Sequence, residues 1–291
     1  MKKVLVAGAT GYLGQFVVKE LKKQGYFVRA LSRSASRIEA LRADIDEIAV
    51  GQVTEPDSLD GVCSEIDAVI STVGITRQKD GLTYMDVDYQ GNKNLLDAAK
   101  NAGVRKFIYV SAFGVDDMKD VKVAAAKQMF ARQLQASGIP YTVLYPNGFF
   151  SDMLEVLDMA KKGKAYVFGD GSFKLNPIHG ADLAEVCVQA IDSNETRIEI
   201  GGPDIFTQTD LYETAFSALG KPARIKPVPI WIGNAFLGIL KLFTSVKTYG
   251  PIEFFLSSLT RDMVAPVHGK HHLAEYYKEQ VNAILGVGEA A

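Results

Sequence analysis

Residues 4–14 read VLVAGATGYLG, and this stretch decides the fold. Its first four residues are apolar, which is typical of a short buried strand. Three glycines follow, at positions 8, 11 and 14, and a stretch of helical period begins at the second of them. A glycine-rich turn from a strand into a helix exposes backbone N–H groups at the positive end of the helix dipole, where a diphosphate can bind. The stretch therefore predicts a dinucleotide-binding turn.

The three glycines of this turn have different predicted tasks. Gly8 permits the tight turn, Gly11 lets the backbone approach a pyrophosphate, and Gly14 lets the helix pack closely on the sheet. The alternative is a strand-to-helix turn in which the glycines are incidental. The residues predicted to bind the pyrophosphate are Gly8, Thr10, Gly11, Tyr12, Leu13 and Gly14.

Short apolar runs alternate with stretches of helical period from the N-terminus to residue 150. The predicted strands are residues 4–7, 27–31, 47–50, 68–72, 106–111 and 141–145. The predicted helices are residues 11–24, 84–101 and 121–137. This alternation predicts an α/β fold over residues 1–150, with a doubly wound and mostly parallel sheet of the Rossmann type.

The pattern changes after residue 150, where helical stretches dominate. Residues 151–291 are predicted to form a smaller, mainly helical C-terminal part that binds substrate and is interleaved with the core. Within it, glycines make residues 167–173 a predicted turn or hairpin. The segment Pro227–Leu240 (PVPIWIGNAFLGIL) carries no charge and is too short to span a bilayer. We expect a buried or substrate-covering helix there; the alternatives are peripheral contact with a membrane or contact with a protein partner.

The 291-residue chain is close to electrical neutrality, with 32 lysines and arginines against 34 aspartates and glutamates. Such a chain has no broad positive field, so we expect a small-molecule substrate and no nucleic-acid partner. The two cysteines, Cys63 and Cys187, show no CxxC spacing, and we expect reduced thiols, no metal site and a cytoplasmic protein. The apolar run at 4–7 is too short for a signal peptide, so the mature protein is expected to begin at Met1.

Basic residues follow the second predicted strand, which ends at Leu31. Sites that prefer NAD usually have Asp or Glu here, which holds the ribose 2′-hydroxyl. This chain has Ser32 and Arg33 instead, with Arg37 one turn further on. A guanidinium pairs well with a 2′-phosphate, whereas a carboxylate would repel it. These residues favour NADP over NAD as the cofactor; the alternative is that Arg33 is a solvated surface charge.

The motifs of the chain and their order resemble those of one enzyme superfamily. They are GATGYLG at 8–14, STVG at 71–74, DYQGNKNLLDAAKNAGV at 88–104, FIYVSAFG at 107–114 and YPNGFF at 145–150. Over most of residues 1–220 the chain resembles the extended and atypical short-chain dehydrogenase/reductases, in particular their NmrA-like branch. The resemblance implies a nicotinamide dinucleotide site in the N-terminal half and a variable substrate-binding part from residue 150 onward.

The resemblance also implies cofactor contacts beyond the glycine turn. Residues close to the adenosine and pyrophosphate would be Ser71, Thr72, Val73 and Gly74. Residues bordering the nicotinamide would be Pro146, Asn147 and Phe149. Asn92, in the long predicted helix, would be structural or would face the substrate.

Two departures from the family pattern bear on this site. Relatives usually carry an Asp near the adenine after the third strand, whereas this chain reads Gly51-Gln52-Val53. Gln52 can still hydrogen-bond adenine, so Gln52 and Val53 remain predicted cofactor contacts. Relatives commonly read Arg-Pro at the end of the sixth strand, whereas this chain reads Tyr145-Pro146. Tyr145 either adds a phenol to the site or fills space.

The proton-transfer residues of the family are incomplete in this chain. The resemblance implies a Ser, a Tyr and, four residues after the Tyr, a Lys that holds the nicotinamide ribose. Ser111 and Lys127 match the Ser and the Lys, but Val123 stands where the Tyr is expected. Valine cannot transfer a proton.

Other residues are candidates for contact with the substrate. Tyr84, Tyr145 and His179 each carry a group able to donate a proton, and Phe150 is a candidate for an apolar pocket wall. The alternative for each polar candidate is a packed and hydrogen-bonded side chain with no chemical role.

Three functions are consistent with these residues. The first is an NADP-dependent oxidoreductase that transfers hydride to a small apolar or aromatic substrate, such as a quinone or an enone, whose activated double bond needs less help from a proton donor. The second is a non-catalytic NADP(H)-binding sensor or assembly factor, which the absent Tyr favours. The third is a sugar-nucleotide epimerase or dehydratase, which the absent Tyr disfavours.

Overall fold

The computed structural model describes residues 1–76 and 81–285. Its strands are β1 (Lys3–Ala7), β2 (Phe27–Ser32), β3 (Glu47–Val50), β4 (Ala68–Ser71), β5 (Lys106–Val110), β6 (Tyr141–Pro146), β7 (Ala165–Phe168), β8 (Lys174–Leu175), β9 (Arg197–Ile200), β10 (Phe206–Thr207) and β11 (Ile225–Val228). Its α-helices are α1 (Tyr12–Lys23), α2 (Asn92–Asn101), α3 (Lys122–Gln135), α4 (Leu154–Lys161), α5 (Gly180–Gln189), α6 (Gln208–Ala218), α7 (Ile230–Phe243), α8 (Val246–Leu259) and α9 (Leu273–Leu285). A π-helix at Met85–Gly91 leads directly into α2, and 3₁₀ segments lie at Ala35–Asp44, Pro56–Leu59 and Val115–Asp117.

Seven strands form one sheet, in the order β3-β2-β1-β4-β5-β6-β9. All neighbouring pairs from β3 to β6 are parallel, and in β1 Val6 lies opposite Ala30 of β2 and Ile70 of β4. The predicted α/β fold, a doubly wound and mostly parallel sheet, is confirmed. The strand order reverses between β1 and β4, and sheets of this type leave a ligand-binding crevice there, at the carboxyl ends of the strands.

Burial on both faces explains why β1 is a continuous apolar run. Its residues from Val4 to Ala7 are fully buried, as expected for a parallel strand covered by helices on both sides. α1 contacts β1 and β2 and buries Val17, Val18 and Leu21, which are spaced so that they share one helix face. The first strand and first helix therefore form the part of the core that supports the glycine turn.

The chain divides into two compact units. The first comprises Met1–Tyr145 and Leu183–Glu199 and contains most of the seven-stranded sheet. The second comprises Pro146–Asp182 and the described residues from Ile200 onward, and it is mainly helical. Within the second unit, β7 pairs in parallel with β11, and β8 pairs antiparallel with β10.

Two predicted elements differ from the structure in detail. The predicted helix at 84–101 begins as the π-helix and becomes α-helical only at Asn92. The predicted turn at 167–173 is present, since Gly169 and Gly171 have φ of +66° and +80°. The hairpin alternative is wrong, because β7 pairs with the distant β11 instead of the strand that follows the turn.

The uncharged segment Pro227–Leu240 leads into α7, and the expectation of a buried helix is wrong. No residue of α7 is buried. One side of α7 packs on α8, and a Cβ added to Gly233 there would lie 2.9 Å from Leu256 and 3.0 Å from Phe168. The described neighbours cover that side only, so the opposite side is exposed. No helix among the described residues is long and apolar enough to cross a membrane.

A hydrogen-bonded asparagine holds three loops of the second unit together. Asn176 is fully buried, and its amide nitrogen donates to the carbonyls of Gly202 at 3.2 Å and Ala265 at 2.9 Å. Its amide oxygen accepts from the Ala265 N–H at 2.9 Å and from the Asn147 side chain at 2.8 Å. Buried polar groups need such partners, so these loops depend on one side chain.

Replacing Asn176 with Ala is expected to destabilise the protein, because several buried donors and acceptors lose a partner at once. The free energy of unfolding should fall by about 2–4 kcal/mol, measured by urea denaturation followed by circular dichroism. Asn101→Ala, at an exposed residue that ends α2, is the control and should change it by less than about 0.5 kcal/mol. Equal effects of the two substitutions would contradict this role for Asn176.

Candidate functional site

The site begins at the turn from β1 to α1. Gly8 has φ of +84°, which favours glycine, and the Gly11 N–H closes the turn by donating to the Gly8 carbonyl at 2.9 Å. A Cβ added to Gly14 would lie 2.1 Å from that carbonyl oxygen. Only a glycine at position 14 therefore lets α1 begin this close to the end of β1.

The N-terminus of α1 has the properties of an anion site. Gly11 precedes the first turn, no described side chain caps the helix there, and its first turn contains no acidic residue. The first N–H groups of an α-helix have no partner within the helix, and the helix dipole adds partial positive charge at this end. A diphosphate fits this combination of backbone donors and positive potential.

A cavity of about 310 Å³ opens beside this turn in the first unit. It is lined by eleven of the predicted cofactor-binding residues, namely Gly8, Thr10, Gly11, Ser32, Arg33, Arg37, Gln52, Val53, Thr72, Val73 and Gly74. The predicted cofactor-binding residues outside its lining are Tyr12, Leu13, Gly14, Ser71, Lys127, Pro146, Asn147 and Phe149. Six lining residues were not predicted: Leu31, Gly51, Thr54, Ile75, Leu82 and Val87. Most of these are apolar wall residues, whose types carry no chemical signal in a sequence.

The predicted residues of the turn that lie outside the lining support it from behind. Leu13 and Gly14 are buried beneath the turn, and the Tyr12 ring packs edge-on against Phe16 with centroids 5.3 Å apart. The backbone of α1 at these positions, and not its side chains, is what the turn offers to a ligand.

The charge of the cavity wall is positive. Two arginines, Arg33 and Arg37, line it, and no aspartate or glutamate belongs to its lining in the described part of the chain. Both arginines are exposed, so an anionic ligand can reach them. A phosphate bound near the end of β2 would meet guanidinium groups and no repelling carboxylate.

Gln52 occupies the family's aspartate position and also lines the cavity. Its amide nitrogen donates to Thr54 at 2.8 Å and to the carboxylate of Glu55 at 3.0 Å. Its backbone N–H donates to the Ser58 hydroxyl at 2.8 Å. The side chain is therefore held within its own loop, with the amide oxygen as the acceptor that it can offer to an adenine amino group.

A buried asparagine shapes the loop that follows β4. The Ser71 hydroxyl donates to the side-chain oxygen of Asn92 at 2.5 Å, and the Asn92 amide nitrogen donates to the Val73 carbonyl at 3.2 Å. The Thr72 hydroxyl donates to the Ala7 carbonyl at 3.1 Å, which ties this loop to the end of β1. Asn92 is fully buried, so of its two implied roles the structure supports the structural one.

Lys127 is held by a carboxylate that was not predicted. Its Nζ lies 2.8 Å from Oδ1 of Asp88, which is fully buried, and Oδ2 of Asp88 accepts from the Ile75 N–H at 3.2 Å. A Cβ added to Gly74 would lie 2.6 Å from Lys127 Nζ and 2.8 Å from Asp88 Oδ1. The ion pair therefore lies directly against the backbone of Gly74, a residue of the cavity wall.

The surroundings of Asp88 are unusual. Burial raises the pKa of this carboxyl group, and the charge and hydrogen bond of Lys127 oppose that rise. Asp88 lies in the π-helix Met85–Gly91, a rare conformation that often occurs at functional sites. In the sequence Asp88 is the first residue of the motif at 88–104, and its neighbours in the sequence do not predict a contact with Lys127.

Ser111 and Val123 stand at the other two positions of the family's Ser, Tyr and Lys set. Ser111 lies just after β5, is 5% exposed, and its hydroxyl has no hydrogen-bond partner among the described residues. Buried hydroxyls without a partner are uncommon in native proteins and need an explanation such as a bound ligand. Val123 is buried in α3 one turn before Lys127, so an apolar core side chain occupies the position of the family's proton donor.

Tyr84 and Tyr145, both predicted to contact the substrate, are buried in the first unit and do not line the cavity. The Tyr84 hydroxyl donates to the Thr76 carbonyl at 2.8 Å. The Tyr145 ring lies under the guanidinium of Arg197, 4.0 Å from ring centroid to carbon, and burial raises the pKa of the phenol. The Tyr145 hydroxyl, like that of Ser111, has no hydrogen-bond partner among the described residues. The contact of Tyr145 with a substrate stays a prediction.

The residues predicted to border the nicotinamide, Pro146, Asn147 and Phe149, lie in the second unit. Asn147 is buried, and its amide nitrogen donates to Asn176 at 2.8 Å and to the Met263 carbonyl at 2.5 Å. These bonds give Asn147 a structural role within its unit. The cofactor contacts of the three residues stay predictions.

Phe150 and His179 come together in the second unit. Their ring centroids are 5.4 Å apart, and His179 stacks on His271 at 4.3 Å. His271 Nδ1 lies 2.7 Å from Oδ1 of the buried Asp182. Burial lowers the pKa of His179, and the neighbouring His271 lowers it further. The contact of Phe150 and His179 with a substrate stays a prediction.

The first unit therefore carries the features that a nicotinamide dinucleotide requires. No described side chain caps the N-terminal amides of α1, and two arginines line the wall after β2. The buried Ser111 hydroxyl has no hydrogen-bond partner among the described residues, and Asp88 anchors Lys127. All of these features are formed by residues that the structure describes. Together they fit a diphosphate, an adenosine ribose and a nicotinamide ribose.

Comparisons with known proteins agree with this geometry. Residues 8–194 match a family model described as NAD(P)H-binding. The divinyl chlorophyllide a 8-vinyl-reductase of Arabidopsis thaliana is 32% identical over 300 residues, which cover 92% of this chain and 71% of that protein. The photosystem II assembly factor Ycf39 of Synechocystis sp. is 27% identical over 246 residues, which cover 83% of this chain and 74% of that protein.

The fold is shared with a solved NADPH-dependent quinone oxidoreductase of Escherichia coli in complex with NADPH. The TM-score is 0.71 at 20% identity, and the match covers 96% of this chain and 100% of that chain. Since the family model spans more than half of the chain and includes the glycine turn and the cavity wall, the chain belongs to the NAD(P)H-binding family.

Proposed function

We propose that this protein is an NADPH-dependent reductase that transfers hydride to an activated carbon–carbon or quinone double bond of a small apolar or aromatic substrate. The observation that carries the proposal is the combination of an anchored Lys127 and an unpaired Ser111 hydroxyl with a buried Val123 at the family's tyrosine position. When bound, the nicotinamide cofactor supplies a hydride, which is one proton with two electrons. The residues that hold the cofactor are present, and the usual proton donor is not.

The wall after β2 supports NADPH over NADH. Arg33 and Arg37 line the cavity where an NAD site would place a carboxylate. A ribose 2′-phosphate would form charge-assisted hydrogen bonds with these guanidinium groups, while a plain 2′-hydroxyl would gain little from them. The preference for NADPH over NADH should therefore come from these two side chains.

Replacing both Arg33 and Arg37 with Gln is expected to weaken NADPH binding by roughly 10–100-fold, because charge-assisted bonds to the 2′-phosphate are lost. Binding of NADH should change by less than about threefold, since it lacks that phosphate. Isothermal titration calorimetry measures both. Arg42→Gln is the control, since Arg42 is exposed in the same 3₁₀ segment and outside the cavity lining. Equal losses for both nucleotides would contradict the proposed preference.

Lys127 and Gly74 are proposed to position the nicotinamide ribose. Asp88 fixes Lys127 Nζ against the Gly74 backbone, at the edge of the cavity. An ammonium group held there offers hydrogen-bond donors to ribose hydroxyls. Orientation of the reacting carbon by such contacts supplies a large part of the rate when acid–base help is absent.

Replacing Gly74 with Ala should disturb this arrangement, because the new methyl group would meet both Lys127 Nζ and Asp88 Oδ1 at under 3 Å. We expect NADPH affinity to fall roughly tenfold, measured by calorimetry. Gly238→Ala is the control, since a Cβ there meets open space and Ala is the better helix former. Unchanged NADPH affinity in the Gly74 variant would argue against the positioning role of Lys127.

The chemistry of the substrate follows from the missing tyrosine. A conjugated double bond accepts hydride at one carbon, and its displaced electron pair moves onto the conjugated carbonyl oxygen. That oxygen needs a hydrogen-bond donor more than an immediate proton, and the Ser111 hydroxyl is available for this. Water then supplies the proton. The vinyl reductase and the quinone oxidoreductase named above support this class of acceptor.

Single-turnover oxidation of bound NADPH by quinones and enones tests the activity. We expect loss of the reduced-nicotinamide absorbance in the native protein and a roughly 10–100-fold slower rate in Ser111→Ala, because one oxyanion donor is removed. Ser64→Ala, at an exposed serine of the same unit, should react at the native rate. Bound NADPH that no acceptor oxidises would refute a reductase.

The second candidate is a non-catalytic NADP(H)-responsive assembly factor. The buried Val123 favours it, because a non-catalytic protein does not need the tyrosine that donates the proton in the family. The similarity to a protein named as an assembly factor supports it as well. Affinity capture of partner proteins with and without NADPH distinguishes it from the reductase: a partner set that changes with NADPH, together with no hydride transfer, would favour this candidate.

A further inference from the structure

The outer face of α7 is an exposed apolar surface on the second unit. A 3.6-residue period places eight residues on this side, all apolar: Trp231, Ile232, Ala235, Phe236, Gly238, Ile239, Leu242 and Phe243. The six large ones are exposed, and Trp231, Leu242 and Phe243 are 69%, 80% and 81% exposed. Phe255 of α8 is also exposed, at 39%. Exposed apolar patches of this kind mark interaction surfaces.

The opposite side of α7 is where the helix is attached. The half-buried positions of α7 are Ile230, Gly233, Leu237 and Leu240, which share one face, and Gly233 approaches Leu256 of α8. Lys241 pairs with the buried Glu253 of α8 at 2.6 Å. The helix is thus anchored on one side by packing and an ion pair, with its apolar side turned to the solvent.

Basic residues flank α7 in the sequence. Residues 214–252 contain five basic residues and no acidic residue, in a chain whose formal net charge is −2. With Lys241 paired to Glu253, the others are Lys221, Arg224, Lys226 and Lys247, all exposed. Arg224 and Lys226 precede α7 and Lys247 follows it, and none of these three forms an ion pair with a described carboxylate. Basic residues therefore flank both ends of the apolar face.

We propose that α7 docks this protein on the surface of an anionic lipid bilayer, with its outer face in the headgroup and upper acyl region. An amphipathic helix with aromatic and branched apolar residues on one face and basic residues around it has the composition that binds such surfaces. Tryptophan, which stands at the start of the outer face, favours the membrane interface.

The charge decides between a bilayer and a second copy of the chain. A symmetric contact between two copies would bring two basic patches together, and like charges across an interface oppose association. An anionic bilayer reverses that sign, since each exposed Lys or Arg near the surface is attracted to it. An anionic bilayer thus matches both the apolar face and the basic residues that flank it.

The single tryptophan of the chain, Trp231, reports on this docking directly. The full-length protein is mixed with phosphatidylcholine vesicles that contain about 30% phosphatidylglycerol, or none. We expect a blue shift of Trp231 emission and co-sedimentation with the anionic vesicles only, both weakened by about 0.5 M salt. Absence of both signals with anionic vesicles, or equal binding to neutral ones, would overturn the proposal.

Substitutions separate the apolar and the electrostatic contributions. Ile239→Asp should lower binding to anionic vesicles by roughly tenfold or more, because a charge enters the apolar face. Ile205→Asp is the matched control, since Ile205 is similarly exposed, at 49% against 56%, and lies in the same unit but outside α7. Equal loss in both variants would overturn the role of α7.

Combined Arg224→Gln, Lys226→Gln and Lys247→Gln should weaken binding by roughly a hundredfold. Lys278→Gln, at an exposed residue of α9, should leave it unchanged. Analytical ultracentrifugation without lipid tests whether a second copy of the chain binds the outer face of α7 instead. A native dimer that becomes monomeric in Ile239→Asp would overturn the bilayer proposal. A native protein that stays monomeric while binding anionic vesicles supports the proposal.

Discussion

The site in the first unit depends on how closely α1 begins to the end of β1. The Gly14 backbone lies so near the Gly8 carbonyl that an added Cβ would come within 2.1 Å of the oxygen. This contact puts the N-terminus of α1 at the point where the strand order reverses, between β1 and β4. Every other part of the site is arranged around it: the arginines follow β2 on one side, and Ser111 follows β5 on the other.

A second constraint is the ion pair of Lys127 and Asp88. A carboxylate as buried as Asp88 is costly unless a charge and hydrogen bonds compensate it, and Lys127 with the Ile75 N–H provides these. The π-helix carries Asp88 to this position, and Gly74 leaves room for the pair. The lysine is thus held firmly although Val123 replaces the tyrosine of the family. A site that keeps its nucleotide-holding groups without that donor is suited to acceptors that are already activated, as we propose.

The second unit has a hydrogen-bonded interior but also an apolar helix face that no described residue covers. Asn176 satisfies backbone groups of two loops, at Gly202 and Ala265, whereas α7 leaves an apolar face in solvent. Such a face would be a liability for a protein that remained free in water, because exposed apolar surface favours non-specific association. The basic residues on either side of it make an anionic surface the complementary partner. The proposed docking and the proposed hydride transfer rest on different residues, so either can stand without the other.

The sequence by itself determined the first six strands, the α/β alternation and the glycine turn, because these follow from local periodicity and from backbone positions that only glycine can occupy. It also indicated eleven of the cavity residues: six from the glycine turn and from the residues after the second strand, and five from the resemblance to a known family. Only the tertiary structure decided that Asp88 faces Lys127, that Asn92, Asn147 and Tyr145 are interior residues, and that α7 is exposed. Those properties depend on which residues distant in the chain pack together, and a residue's type and neighbours in sequence do not encode its burial or its charged partner.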